Sequence, residues 1–228
     1  MKHLAIIMDG NRRWARLRGL QPWLGHSNGM NAVKCVIEFC LSKKIPYLSL
    51  YTFSIENLRR SESERSYLFD LFSQKAQEYT EEFIKNGIRA KFIGERSLFP
   101  KHLITIIDQL EQKTANGANL QVNFLFCYGA RQEIVHGIKA LLAKVKNGEL
   151  SENDITDETF KDYLWTAGMP EPDIIIRTGG AKRMSNFLLY QAAYSEFYFL
   201  DCFWPEITQD HLQAAYTNFE QCRRNFGA

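Results

Sequence analysis

Short apolar runs alternate along this chain with longer stretches in which apolar residues recur at helical spacing. A short apolar run is typical of a buried strand, and recurrence every three or four residues is typical of a helix with one buried face. Strands that alternate with helices predict a mostly parallel sheet covered by helices on both faces. The predicted strands are residues 4–8, 47–53, 88–93, 120–127, 174–176 and 197–200, and the predicted helices are residues 28–42, 62–86, 100–116, 130–147, 185–195 and 209–224.

Turn-forming residues mark the ends of these elements. Asn86-Gly87 and Asn147-Gly148 follow two of the predicted helices, and glycine there can adopt the left-handed conformation that ends a helix. Residues 151–159 form a polar connector that we expect to open a short helix. The chain has no repeat, no low-complexity tract and no long linker. We therefore expect residues 1–228 to form a single α/β domain with a central sheet of about six strands.

Composition narrows the class of protein. With 28 basic and 26 acidic side chains, the net charge is only +2, which argues against a dedicated nucleic-acid-binding protein. The mean hydropathy is −0.31, and no apolar run is long enough to span a bilayer. The five cysteines form no CxxC pair and the first residues do not resemble a signal peptide, so a cytoplasmic location is expected. Aromatic residues are abundant at 13%, and their use depends on what the rings contact.

Polar residues follow four of the predicted strands at the point where each strand ends. Ligands of parallel sheets collect outside the carboxyl ends of the strands, so these residues are expected to share one site. They are residues 9–14 after the first strand, 54–60 after the second, 128–131 after the fourth and 177–180 after the fifth. Together they bring Arg, Asp, Asn and Gly side chains to one edge of the sheet.

The segment after the first strand is Asp9-Gly10-Asn11-Arg12-Arg13. An Asp-Gly pair after a strand is by itself most often a turn. Two arginines directly behind it are unusual, because the start of a helix favours anions rather than cations. A bound anion would relieve that conflict: the backbone amides of residues 10–12 could hold diphosphate oxygens, and Arg13 could add a bidentate contact. Asp9 could hold a Mg²⁺ ion that binds the same diphosphate.

The segment Arg177-Thr178-Gly179-Gly180 suggests a second anion site. The apolar run before it should hold Arg177 at the sheet edge, and two glycines allow backbone amides to approach a ligand closely. Arg183 and Ser185 follow as further anion donors. The alternative is a glycine turn with a solvated arginine. The chain contains neither a GxxxxGK[ST] loop nor a GxGxxG motif, so neither type of nucleotide-binding loop is expected.

Three acids and a histidine have plain structural explanations as well as functional ones. Glu56 lies in a stretch of mixed charge that would ordinarily be a solvated loop, and Glu64 falls in the first turn of a helix, where acids are favoured. His26 is a lone histidine. Glu196 interrupts an apolar, aromatic stretch and needs a partner, either a structural arginine or a metal shared with Asp9. Since no nucleophile stands beside a base, the residues indicate a Mg²⁺-assisted enzyme acting on phosphate esters without covalent catalysis.

Taken together, these segments resemble the cis-prenyltransferases of the undecaprenyl diphosphate synthase type. The matching stretches are IIMDGNRRWA, GH, LYTFSIEN, IIRTGG, RMSNFLL and YSEFYF, in the family's order and spread over nearly the whole chain. The resemblance implies that farnesyl diphosphate is extended by isopentenyl diphosphate units with cis double bonds. The expected product is undecaprenyl diphosphate, the precursor of a lipid carrier for cell-wall synthesis.

The resemblance also implies roles for particular residues. Asp9 would be the essential Mg²⁺-linked carboxylate, with Glu196 near the same metal. Asn57 matches the family's proton acceptor, but an amide is a poor base, so we expect Asn57 to orient the substrate or to relay the proton to diphosphate. The residues implied to hold the allylic diphosphate are Gly10, Asn11, Arg12 and Arg13, with Trp14 against its hydrocarbon and His26 near the diphosphates. Ser54, Ile55 and Glu56 would line the allylic substrate site, and Leu58 and Arg60 lie beside Asn57. Those implied for isopentenyl diphosphate are Arg177, Arg183, Met184 and Ser185.

The same resemblance implies a homodimer and delivery of the product to a membrane, which would make the protein peripheral to its inner face. A soluble enzyme that makes a lipid must hold the growing chain away from water in a lined tunnel, and this gives the aromatic residues a candidate use. Rings at helical spacing are more often simple core residues. Those that could line a tunnel are Phe39, Phe69, Phe72, Phe83 and Phe92.

Several positions depart from the family pattern. Pro22 replaces a common diphosphate-binding arginine, for which Arg16 or Arg18 could compensate. Because Asp9 and Arg177 are kept, we expect the departures to affect affinity and product length rather than activity itself. The other positions at which a common family residue is replaced are Leu58, Cys127, Ala181 and Lys182.

Three rival interpretations follow from the sequence. A non-catalytic partner subunit would lack the strand-end Asp and the phosphate-binding Arg, and this chain has both. A trans-type prenyltransferase would be all-helical and would carry a DDxxD pair, which is absent here. A different phosphate-handling α/β enzyme would not need the aromatic segment at residues 194–199.

Overall fold

The computed structural model describes residues 1–222 and contains one six-stranded sheet. The strands are β1 (His3–Ile7), β2 (Tyr47–Ser54), β3 (Ile88–Ile93), β4 (Leu120–Tyr128), β5 (Ile174–Arg177) and β6 (Glu196–Phe199). They lie in the order β3-β4-β2-β1-β5-β6, and every pairing within the described residues is parallel. The predicted α/β class with a mostly parallel sheet of about six strands is confirmed. Residues 223–228, including the end of the helix predicted at 209–224, lie outside the described residues.

Helices connect the strands much as the spacing predicted. They are α1 (Asn11–Leu17), α2 (Leu24–Lys43), α3 (Glu62–Lys85), α4 (Lys101–Lys113), α5 (Ala130–Lys146), α6 (Asp157–Lys161) and α7 (Gln209–Gln221). Short 3-10 segments occur at Ile55–Arg59, Arg96–Leu98, Glu152–Asp154 and Trp204–Glu206. The polar connector therefore does open a short helix, α6. Gly87 and Gly148 have φ values of 65° and 73°, which confirms the two predicted left-handed helix stops.

The helix predicted at residues 185–195 is wrong. This segment is a series of turns, and Ser185, Asn186 and Leu188 have positive φ angles of 51°, 64° and 41°. A right-handed helix cannot continue through such residues. The apolar residues of this segment are instead explained by contact with the core, because Phe187 and Leu188 are fully buried.

The two faces of the sheet bury different sets of side chains. Along β1, Leu4 and Ile6 point to one face, and Ala5 and Ile7 point to the other, as expected for a strand buried on both sides. The first face packs against α2, α3, α4 and α7, and the second packs against the start of α5 and the turns at 184–192. Among residues 1–222, no helix is long and apolar enough to cross a membrane.

The register of the central strands sets the position of the functional residues. Ile7 of β1 pairs with Arg177 of β5, so the chain segments after both strands leave the sheet side by side. The backbone N–H groups of Gly179 and Gly180 donate to carbonyl oxygens of Cys202 and Leu200, which holds the glycine turn in place. The segments after β1 and β5 therefore meet at the carboxyl edge, as the sequence predicted.

Candidate active site

Arg177 ends β5 at the carboxyl edge of the sheet and is buried, with only 3% of its surface exposed. Its Nη2 donates to Asp9 Oδ2 at 2.8 Å, and its Nη1 donates to Ser185 Oγ at 2.8 Å and to the backbone oxygen of Arg183. Its Nε has no hydrogen-bond partner among the described residues. Arg177 thus joins the segment after β1 to the turns after β5, and it brings together residues that the sequence assigned to different substrates.

A cavity beside Asp9, here called the basic cavity, has a volume of about 270 Å³. Four of its side chains are arginines and one is a carboxylate, so it is suited to a multiply charged anion. Gly10 turns the chain from β1 into α1 with a φ of 106°, and a Cβ atom there would lie 2.7 Å from the Phe203 ring. The residues that line the basic cavity are Met8, Asp9, Gly10, Asn11, Arg12, Arg13, Arg16, His26 and Arg60.

Carboxylates fix the directions of these arginines. Arg13 Nη2 lies 3.4 Å from Asp9 Oδ1, and its guanidinium covers the Phe203 ring at 5.2 Å. Glu64 is 5% exposed, and its Oε1 lies 3.2 Å from Arg60 Nη1 and 3.6 Å from Arg12 Nε. Sequence reasoning treated Glu64 only as a first-turn acid of α3. The signal that could have found its role is its position four residues after Arg60, which puts the two side chains within reach.

His26 lies between the arginines and is held neutral. Burial, followed by the positive charges of Arg60 and Arg12, lowers the pKa of His26 to about 3. Its Nε2 is buried and has no hydrogen-bond partner among residues 1–222. A neutral imidazole with an open ring nitrogen can accept or donate a hydrogen bond to a ligand, depending on its tautomer. A bound anion would oppose the effect of the two arginines on this pKa.

A second cavity, here called the apolar cavity, adjoins the basic cavity and has a volume of about 130 Å³. It lies between α2, α3 and the sheet, and Met8, Asn11, His26 and Arg60 line both cavities. Its other lining residues are mainly apolar: Gly29, Met30, Val33, Tyr51, Thr52, Phe53, Asn57, Leu68, Leu71, Phe72, Phe124, Phe126 and Trp204.

Phenylalanine rings lie between the apolar cavity and a smaller cavity next to it. A smaller cavity of about 30 Å³ follows it between α2 and α3, and Phe72 and Phe124 line both. Of the five rings predicted to line a tunnel, Phe72, Phe83 and Phe92 do line these cavities. The other two do not: Phe69 packs on Phe53 at 5.1 Å, and Phe39 packs on Tyr216 at 6.1 Å.

The 3-10 segment Ile55–Arg59 places Asn57 at the apolar cavity. The Asn57 side-chain oxygen accepts a hydrogen bond from the backbone N–H of Ser54 at 3.3 Å, which caps the segment. Leu58 packs against the core. Because its oxygen is already engaged, Asn57 is better placed to orient a ligand than to take a proton from it.

Asn186 is a residue that sequence reasoning missed. Its Nδ2 donates to Glu56 Oε1 at 2.8 Å and to Gln132 Oε1 at 3.0 Å, and its Oδ1 accepts from the backbone N–H of Arg131 at 2.9 Å. It therefore ties the turns that carry Arg183, Met184 and Ser185 both to α5 and to the 3-10 segment. An Asn at a turn is the available sequence signal, since Asn is among the residues that tolerate positive φ.

Ten residues of the predicted site line neither of these two cavities: Trp14, Ser54, Ile55, Glu56, Leu58, Arg177, Arg183, Met184, Ser185 and Glu196. Trp14 lines neither cavity, and the guanidinium of Arg18 covers its ring at 4.3 Å. Glu196 is exposed and starts β6 in register with Ile174, whereas Asp9 follows the opposite, carboxyl end of β1. Within one chain, the structure therefore places Glu196 and Asp9 at opposite edges of the sheet.

A Mg²⁺ ion would nevertheless fit the residues that are present. Within residues 1–222, no group of three or more His, Cys, Asp or Glu side chains could hold a metal ion by itself. Mg²⁺ commonly binds through one or two carboxylates together with water and substrate phosphate oxygens. Asp9 faces the arginine-lined cavity with 28% of its side chain exposed and suits that mode.

The fold and these two cavities define a class of protein: an α/β enzyme for ligands that join a diphosphate to a hydrocarbon. The family model described as "Putative undecaprenyl diphosphate synthase" matches residues 7–227. The chain belongs to this prenyltransferase family, and cis-prenyl chain elongation, the function that the resemblance implied, is confirmed at the level of the family. The all-helical, trans-type alternative is excluded by the parallel sheet.

Individual relatives cover almost the full length of the chain. An isoprenyl transferase of Clostridium perfringens is 41% identical over 226 residues, which are 99% of this chain and 89% of that relative. A tritrans,polycis-undecaprenyl-diphosphate synthase (geranylgeranyl-diphosphate specific) of Pyrococcus abyssi is 42% identical over 228 residues, which are 99% of this chain and 86% of that relative.

Two crystal structures share the fold. Lavandulyl diphosphate synthase from Lavandula x intermedia, in complex with dimethylallyl diphosphate, has a TM-score of 0.96 at 31% identity, with 100% of this chain and 98% of that chain covered. A probable undecaprenyl diphosphate synthase from Campylobacter jejuni has a TM-score of 0.83 at 33% identity, with 100% and 99% covered.

Proposed function

We propose that this protein extends farnesyl diphosphate with isopentenyl diphosphate to a long cis-prenyl diphosphate of the undecaprenyl type. The observation that carries the proposal is the junction of the basic and apolar cavities, which share Met8, Asn11, His26 and Arg60. A prenyl diphosphate joins a multiply charged anion to an apolar tail, and it would use both cavities at once.

The arginines of the basic cavity take the diphosphate of the allylic substrate. When the bond between its oxygen and the first carbon breaks, negative charge moves onto the diphosphate and the tail is left as an allylic cation. Arg12, Arg13 and Arg60 stabilise that charge. Asp9 would hold a Mg²⁺ ion, which when bound would supply further neutralisation of the leaving diphosphate.

The diphosphate of isopentenyl diphosphate is bound by Arg177, Arg183 and Ser185. The alkene of this second substrate forms the new carbon–carbon bond to the allylic cation and then loses a proton, which restores a double bond. Asn57 orients the substrate at the apolar cavity, and the proton goes to diphosphate, since the amide oxygen of Asn57 is engaged with Ser54. The tail grows into the apolar cavity.

A homodimer and delivery of the product to a membrane belong to this proposal, with the protein cytoplasmic and peripheral to the inner face. Val135, Ile138 and Leu142 support the dimer, because they lie on one face of α5 and each is 45–50% exposed. Such a stripe of apolar residues is suited to a second copy of the chain. Light scattering gives the mass in solution, and Ile138→Glu should shift a dimer toward the monomer.

The activity is tested with purified protein, Mg²⁺, farnesyl diphosphate and labelled isopentenyl diphosphate. We expect a butanol-soluble polyprenyl product that disappears when Mg²⁺ is chelated and returns when it is restored. A protein that binds both substrates and makes no product would instead be a non-catalytic partner subunit. Product formation unaffected by chelation would overturn the Mg²⁺ proposal alone.

A second candidate is the condensation of short allylic diphosphates to a short product. The apolar cavity of about 130 Å³, narrowed at Phe72 and Phe124, supports it. The TM-score of 0.96 with a synthase that holds dimethylallyl diphosphate adds support. Parallel reactions with dimethylallyl, geranyl, farnesyl and geranylgeranyl diphosphate separate the candidates. A single short product from the dimethylallyl starter alone would favour the second candidate.

A further inference from the structure

Arg16 lines the basic cavity from the last turn of α1. It follows Arg13 by three residues and Arg12 by four, and side chains with these spacings lie on the same side of a helix. Three arginines of α1 therefore face one anion-sized space. From the sequence, Arg16 was one of two arginines that could compensate for the family arginine replaced by Pro22.

Arg16 differs from the neighbouring arginines in its partners. Arg12 and Arg60 pair with Glu64, and Arg13 pairs with Asp9. Arg16 is exposed and forms no ion pair and no side-chain hydrogen bond with the described residues. Among the four arginines that line the basic cavity, Arg16 is therefore the one whose positive charge is not paired with a carboxylate of residues 1–222.

Arg18 provides a contrast on the same segment. Its Nη2 lies 3.1 Å from Glu206 Oε1, and its guanidinium stacks on Trp14 at 4.3 Å. It does not line the basic cavity. From the sequence, Arg16 and Arg18 were equal candidates to replace the missing diphosphate-binding arginine, but their contacts differ. Arg18 contacts Glu206 and Trp14, whereas the Arg16 side chain lines the basic cavity and is available to a ligand.

We propose that Arg16 is a diphosphate-binding residue of the allylic site, supplying the cavity with a guanidinium that has no competing carboxylate. This proposal rests on the proposed function. It gives the chain an anion ligand from α1 in addition to Arg12 and Arg13, and it makes Arg16 a determinant of affinity for the allylic diphosphate. The plain alternative is that Arg16 only complements the carbonyl end of α1.

Calorimetric titration with inorganic diphosphate, in the presence of a chelator, tests the proposal without turnover. We expect Arg16→Gln to weaken binding about tenfold, as for the loss of a hydrogen bond to a charged group, and Arg16→Lys to recover part of the loss. Arg18→Gln, the matched control, should bind as the wild type does. The KM for the allylic substrate should rise in Arg16→Gln while kcat changes little.

The outcomes distinguish this proposal from the proposed function. If Arg16→Gln binds diphosphate within twofold of wild type while its melting temperature falls, Arg16 has only the structural role. If Arg18→Gln loses as much affinity as Arg16→Gln, charge on the segment rather than contact is responsible, and the proposal is overturned. If the wild type makes prenyl product and Arg16→Gln matches it in KM, the function stands without Arg16. Wild-type protein that binds no diphosphate would overturn both.

Discussion

Arg177 Nη2 lies 2.8 Å from Asp9 Oδ2, although 168 residues separate them along the chain. The two side chains differ in their surroundings, with 4% of Arg177 and 28% of Asp9 exposed. One member of the ion pair is therefore in the protein interior, and the other faces the basic cavity. Asp9 has two tasks as a result: it neutralises a buried guanidinium and exposes a carboxylate to the basic cavity.

Replacing Asp9 should separate these two tasks. Asp9→Ala leaves the Arg177 guanidinium without its carboxylate, so we expect the free energy of unfolding to fall by about 2 kcal/mol. Asp9→Asn keeps an oxygen acceptor and should retain most of that stability, but its turnover should fall about a hundredfold or more because the charge is lost. Urea unfolding and product formation measure the two effects. Near-normal turnover of Asp9→Asn would contradict the role of the carboxylate.

Acidic pH should destabilise the fold through a buried histidine. His3 is 1% exposed, with its ring nitrogens near Pro170 O at 2.7 Å and Ser49 Oγ at 2.8 Å. Burial lowers the pKa of His3 from 6.5 to about 4. Between these values the unfolded chain binds more protons than the folded one. Stability is therefore fully present above pH 6.5 and is lost as the pH falls toward 4.

The size of this effect can be checked by urea unfolding at pH 7.5 and pH 5.0. His3 alone should account for about 2 kcal/mol of the stability lost between these conditions. His26, whose pKa burial and two arginines lower to about 3, should add to the loss. His3→Gln should show a smaller difference between the two pH values than wild type. An equal difference would mean that His3 does not titrate as its burial implies.

Phe72 should limit the length of the product. Its ring lines both the apolar cavity and the smaller cavity beyond it, and it packs on Phe126 at 5.1 Å and on Phe92 at 5.6 Å. Phe72→Ala joins these spaces, so we expect the product distribution to move toward longer chains. Removal of the ring should also cost about 3 kcal/mol of stability, and Phe72→Leu provides a milder variant.

The matched control is Phe160→Ala. Phe160 packs against Tyr190 at 5.3 Å, away from these cavities, so its removal should lower stability without moving the product distribution. Chromatography of dephosphorylated products measures chain length. If both variants give longer products, a general loosening of the fold is the cause, rather than removal of the ring that lies between the two cavities.

Asn186 should position substrate groups without touching the reacting atoms. Asn186→Gly tolerates the φ of 64° but removes the hydrogen bonds to Glu56, Gln132 and the Arg131 backbone. We expect kcat/KM for isopentenyl diphosphate to fall about tenfold, since each lost contact loosens the turns that carry Arg183. Asn186→Ala should behave similarly and be less stable, because alanine disfavours positive φ.

A different pattern would point to a purely structural Asn186. In that case the glycine variant would unfold at lower urea while its KM values for both substrates stayed at wild type. Titration with isopentenyl diphosphate alone gives a readout that does not depend on turnover. Unchanged affinity in a folded glycine variant would contradict the positioning role.

The sequence by itself determined most of the elements and the edge of the sheet at which the polar segments meet. Apolar runs predicted all six strands to within a residue or two at each end, because the inner strands of a parallel sheet are buried on both faces. The glycines after Asn86 and Asn147 correctly marked helix ends, because a positive φ is a local requirement. The polar segments after strands predicted which residues meet, since parallel strands end at one edge.

Only the tertiary structure decided which charges pair and where each side chain points. Glu64, which the sequence marked only as a first-turn acid, pairs with two arginines from different segments, whereas Glu196 starts β6 away from Asp9. The turns at 185–195 satisfied a helical spacing while following another path. The spacing of apolar residues along the chain indicates which residues are buried. Strand order, register and packing fix the distances between segments. Ion pairs and hydrogen bonds between segments depend on those distances, so the sequence alone does not determine them.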